Sequence, residues 1–185
     1  NPSASNALML GQMALQMADS EWDAAKKTGL IELAGSAYQQ GMEAEPDNEI
    51  LRQAYADYQQ KTGKEDAIEL LGGDKNLEWK FYLRNSQFEQ AETILKELLQ
   101  EKPDDPLLVR GLVFVSQGAG NRDQVRDYLD MLSELDETKE TELWVIQKYI
   151  DNGFTAEAEM KLESFKERYP EEKSILLIEA WTEMS

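Results

Sequence analysis

Residues Asn76–Pro103 read NLEWKFYLRNSQFEQAETILKELLQEKP. The second half of this stretch declares its period. Ala91, Ile94, Leu95, Leu98 and Leu99 fall on one stripe at helical spacing, as a buried helix face requires. Ser86 and Glu89 stand in the S-x-x-E arrangement of a capping box, which predicts a helix start there. Pro103 marks the helix end. The first half, with Trp79 and Tyr82, predicts a second helix over 75–84. The stretch therefore reads as an α-hairpin.

The same ruler recurs elsewhere. Ala34, Tyr38 and Pro46 have the spacing of Ala91, Leu95 and Pro103, and so do Ala158, Leu162 and Pro170; alanine stands 12 residues before proline each time. Extending the register adds Ala67 with Leu71 and Val125 with Leu129, so the small residues stand 33, 24, 34 and 33 apart. A small residue allows two helices to cross closely, and the bulky residue one turn on continues the buried ridge. Val125, the largest of the five, predicts a looser crossing.

Turn residues divide the chain between these markers. Gly63, Gly120 and Gly153 each separate two apolar helical runs and suit the left-handed end of a helix. Asp105 followed by Pro106 reads as an N-cap with proline in the first turn. The helix pairs predicted are 7–27 with 29–44, 48–61 with 65–71, 75–84 with 87–101, 106–117 with 122–134, and 139–151 with 155–168. A last helix over 172–184 has no partner after it. The first of these is long for a hairpin arm and is expected to kink near Asp19-Ser20. The short 24-residue step contains Gly72-Gly73, so the helix carrying Ala67 is expected to stop early.

This pattern resembles the tetratricopeptide repeat (TPR) family, whose unit is a helix–turn–helix of about 34 residues. The resemblance covers roughly 29–184 and departs from the family in the short step and in the missing Leu-Gly pair of most first helices. It implies an all-α, right-handed α–α superhelix, a TPR-like solenoid of about five helix pairs plus a terminal helix. Residues 1–28 would form an N-terminal helix packing on or opening the solenoid, and 29–185 one continuous repeat domain.

Composition narrows the function. The 185 residues carry 37 acidic and 19 basic side chains, a net charge of −18, with 41% hydrophobic residues to build a core. Nucleic acids and anionic membrane surfaces both need a positive footprint, so neither is an expected partner. No run approaches the roughly 18 apolar residues of a membrane span. Cysteine and histidine are absent, which removes thiol catalysis, zinc–thiolate sites, disulfides and every histidine-based triad. A chain without cysteine suits an oxidising or a reducing compartment equally.

The remaining chemical motifs read as structure. Glu65-Asp66, Asp104-Asp105 and Glu171-Glu172 sit at helix starts, where carboxylates favour the positive end of the helix dipole. Gly118-Ala119-Gly120-Asn121 begins like a dinucleotide loop but lacks its third glycine and a preceding strand. No catalytic residue, cofactor or metal is expected. Met9, Met13 and Met17 share one helix face; core packing is the first expectation, ahead of a protein contact or a soft-metal row.

Binding is the function expected. By resemblance to TPR proteins, the first helices line an inner wall. It takes Arg52, Ala56 and Gln59, then Asn76, Lys80, Leu83 and Arg84, then Arg110, Phe114 and Gln117, then Leu143, Trp144, Gln147 and Ile150. That wall holds four basic residues and no acidic one. It suits an extended peptide or loop of a protein partner, whose carboxylates meet Arg or Lys and whose apolar residue meets Phe114 and Trp144. The plainer reading is that these cations pair with neighbouring acids, which contributes little. A spacer or oligomer brick, contacting through its ends, is the alternative. The terminal helix, apolar at Ile175, Ile178 and Trp181, implies either more chain beyond Ser185 or a homodimer contact.

Overall fold

The computed structural model describes residues 3–63 and 67–172. Among these there are α1 (Ala4–Ser20), α2 (Ala24–Ala44), α3 (Glu49–Lys61), a 3-10 turn (Glu69–Leu71), α4 (Lys75–Arg84), α5 (Phe88–Glu101), α6 (Pro106–Gly118), α7 (Arg122–Leu135), α8 (Lys139–Asp151) and α9 (Thr155–Arg168), and no strand. The chain divides into two compact units, Asn1–Asn85 and Ser86–Ser185.

Caps explain most boundaries. Asp105 accepts a hydrogen bond from the Leu107 N–H and Pro106 occupies the first turn of α6, as expected. Gly120 and Gly153 lie at φ 72° and 70°, the left-handed conformation that stops α6 and α8. Asn121 then caps α7, so Gly118–Asn121 is a helix–helix turn.

Three boundaries differ from the sequence reading. The expected kink near Asp19-Ser20 is a full stop, because Asp23 accepts from the N–H groups of Ala25 and Lys26 and starts α2 there. Gly29 consequently lies inside α2, and so does position 28. The capping box at Ser86 does not form: Gln87 is the N-cap of α5, without a side-chain bond, and Ser86 sits at φ 58°. The helix expected over 65–71 is reduced, in its described part, to the 3-10 turn, ended by Gly72 in the left-handed conformation.

The small/bulky ruler is the core. Ala34, Ala67, Ala91, Val125 and Ala158 are all buried, and so are Tyr38, Leu71, Leu95, Leu129 and Leu162. In the first unit α1 buries Ala4, Ala7, Gly11, Ala14 and Ala18 on one stripe. Side chains this small bring α1 hard against α2, where Tyr38 packs on the Tyr55 and Tyr58 rings at 6.2 and 5.8 Å. Ala56, Ala67, Leu71, Leu77 and Phe81 form a second cluster in that unit. In the second unit each helix from α5 to α9 lies against the next, around Leu129, Ile146, Tyr149 and Phe165.

The methionine stripe is a correction. Met9, Met13 and Met17 are 57%, 53% and 56% exposed rather than packed in the core. The small residues of α1 occupy the buried stripe, so the methionines are left on the opposite face.

Candidate functional site

The expected wall residues fall in both units. In the first, Ala56 is fully buried and belongs to the core, because the α3 face that carries it packs on Leu77 and Phe81 of α4. Arg52, Gln59 and Leu83 are half-buried, while Asn76, Lys80 and Arg84 are exposed. Lys80 holds its ammonium 5.7 Å from the centre of the Trp79 ring. Arg84 is tied down: its Nε donates to Asp57 Oδ2 at 2.8 Å and its Nη2 to Oδ1 at 3.2 Å. Asp57, absent from the sequence reading of the wall, therefore places a carboxylate there.

In the second unit the wall is better formed. Arg110, Phe114 and Gln117 recur on α6 at helical spacing, and Trp144, Gln147 and Lys148 do so on α8. Phe114 meets Trp144 edge-on, with ring centres 5.7 Å apart and planes at 76°. Arg110 lies over the Trp144 ring at 5.2 Å. Lys148 lies 5.8 Å from the Phe114 ring and 5.9 Å from the Trp144 ring. Two aromatic rings are thus bracketed by two cations, each contact worth about 0.5–1 kcal/mol where it is exposed. Phe114 remains 42% exposed and Leu107, on the same helix, 68%.

Neighbouring groups hold the two cations in place. Arg110 Nη2 donates to the Thr141 hydroxyl, which donates in turn to Asp136 Oδ2. Thr138 donates to Thr141 as well. Hydrogen bonds from Thr141 and Thr138, with the Arg110 charge behind them, hold the Asp136 carboxyl below its usual range. Lys148 donates to Asp151 Oδ2 and Gln147 to Oδ1, both at 2.8 Å. Burial pushes Asp151 up, but those two bonds and the Lys148 charge outweigh it and its pKa is lowered. Arg110 therefore presents its charge through a hydroxyl relay, with Asp136 one group behind.

Of the other residues expected on this wall, Gln117 and Leu143 are half-buried, Leu143 against the core, whereas Ile150 is buried and belongs to that core. Lys148, Thr141 and Asp136 are not among the residues the sequence points to. Lys148 stands one helical turn from Trp144, so its spacing is a usable signal. The Thr141–Asp136 relay has none, because nothing in the sequence ties α6 to the turn before α8. Ile175, Ile178 and Trp181, with the homodimer contact expected of them, lie outside the described residues.

The acidic pairs are structural where described: Asp105 caps α6 and Glu172 takes the Lys139 ammonium at 2.8 Å. Among the described residues no group of three or more Asp and Glu side chains could hold a metal ion, and no helix is long and apolar enough to cross a membrane.

Residues 82–144 match the tetratricopeptide repeat family model. Among solved structures the chain is similar to a thermophilic TPR protein of Thermus thermophilus. The two share 16% identity at a TM-score of 0.51, over 95% of this chain and 100% of that one. At that identity the likeness shows the fold. The sequence matches no curated protein.

Proposed function

We propose that this TPR-like repeat protein is an interaction module that holds an extended segment of a protein partner against α6 and α8. One observation carries the reading: the ring pair of exposed Phe114 and half-buried Trp144 lies between Arg110 and Lys148. An exposed aromatic ring, backed by a half-buried one and flanked by fixed cations, suits a peptide that offers an apolar side chain beside a carboxylate. The rings take the apolar group. Arg110, already oriented by Thr141, meets the acid without first losing side-chain freedom. The first unit supplies less for such a ligand, since Arg84 is already bound to Asp57.

An arrayed library of extended peptides, read by fluorescence anisotropy of its tightest binder, tests this. Phe114→Ala should weaken that binder about tenfold, or roughly 1.4 kcal/mol, and Lys148→Glu by a similar amount. Helical circular dichroism should not change, and Lys80→Glu should leave affinity alone. A tight binder indifferent to Phe114→Ala and Lys148→Glu would remove α6 and α8 as the site.

A further inference from the structure

We propose that the furrow between α7, α8 and α9 is a second binding site, for a short peptide with both termini free, its ammonium toward Glu137 and Glu142 and its carboxylate toward Lys161. The furrow has a volume of about 320 Å³. Val145 and Ile146 of α8, both buried, form its apolar base. Its rim carries opposite charge at its two ends. At one end Arg168 donates to Glu142 Oε1, and Glu137 adds its charge beside the same guanidinium. Two carboxylates around one guanidinium leave that end negative. Glu142 Oε2 is buried and accepts no hydrogen bond among the described residues, a costly state that an incoming ammonium relieves.

Lys161 makes the other end positive. Its ammonium lies 5.8 Å from the centre of the Tyr149 ring and forms no ion pair among the described residues. The acids around that ring are engaged elsewhere: Asp130 accepts from the Tyr149 hydroxyl at 2.6 Å, and Glu157 faces Arg126 at 4.0 Å. Spacing then selects the ligand. Lys161 and Arg168 are two turns apart on α9, a rise of roughly 10 Å. Three residues of extended peptide span about 10 Å, whereas a free amino acid carries both charges on one carbon. The middle residue lies over Val145 and Ile146, which favours an apolar side chain there. On α8, Trp144 and Lys148 meet Phe114, while Glu142, Val145 and Ile146 line the furrow, so the two sites are separate.

Isothermal titration calorimetry with the tripeptide Ala-Leu-Ala tests this. The free peptide should bind with a Kd of about 1 mM or tighter, and acetylating its N-terminus or amidating its C-terminus should each weaken it about tenfold. The amidated control is decisive, because a net charge of −18 by itself attracts that more cationic form more strongly. Lys161→Met should weaken the free peptide about tenfold and leave the amidated one unchanged; Glu137→Gln should do the same with the acetylated one unchanged. Both variants should keep the helical circular dichroism, and Phe114→Ala should leave tripeptide affinity alone. No binding up to about 20 mM overturns the proposal. So does an amidated peptide that binds as tightly as the free one, or a tripeptide affinity that Phe114→Ala removes.

Discussion

Tyr38 shows how far single residues govern the first unit. Its ring is buried against α1, and burial together with the Asp57 charge pushes its phenol up to about 12. The room for that ring comes from Gly11: a methyl group there would stand 2.4 Å from Tyr38 Cε1. Gly29 in α2 is the opposite case, with nothing within 4 Å of the same position. Gly11→Ala should therefore destabilise by about 1–3 kcal/mol, since the clash outweighs the gain in helix propensity. Gly29→Ala should stabilise by about 1 kcal/mol. Urea denaturation of both variants checks the opposite signs. Neither glycine announces its role in the sequence. Nothing around Gly11 marks it, and Gly29 reads as the start of a helix, because a close approach between helices leaves no local trace.

The start of α5 tests the element scale. A capping box at Ser86 predicts that Ser86→Gly would lose stability. The structure instead puts Ser86 at φ 58°, where glycine rests without strain. Ser86→Gly should accordingly gain about 1 kcal/mol, measurable as a raised thermal midpoint. Most other element ends were legible. Proline after aspartate and glycine between apolar runs act through backbone sterics and neighbouring N–H groups, which are local. Gly72-Gly73 likewise foretold that the element carrying Ala67 would be short. The S-x-x-E pattern misled because a serine can cap only from extended backbone, and the tight turn after Asn85 imposes another conformation.

For the molecule as a whole, charge is the dominant long-range term. Against the excess of 18 negative charges stand ion pairs with at least one solvent-exposed partner: both members of Lys61–Asp19 are exposed, as is Glu163 beside half-buried Lys166. Exposed pairs contribute only about 0–1 kcal/mol each. Salt shortens the screening length from about 30 Å at 0.01 M to about 8 Å at 0.15 M, which relieves the repulsion more than it weakens the pairs. The thermal midpoint should rise over that range by scanning calorimetry, and a fall would mean that the pairs dominate. What the sequence determined alone was the repeat. Alanine followed by a bulky residue one turn later, at a step near 34 with one short interval, sets which helix face is buried wherever that pattern occurs, and the structure is all-α with those residues in its core. Only the tertiary structure decided which of the remaining residues meet. Arg84 closes on Asp57, Arg110 reaches Thr141 and Trp144, Ala56 and Ile150 turn inward, and the methionines of α1 stay outside. Burial of a periodic face is a property of one helix, whereas a contact across helices depends on their crossing and rotation, which arise when side chains from distant positions pack together.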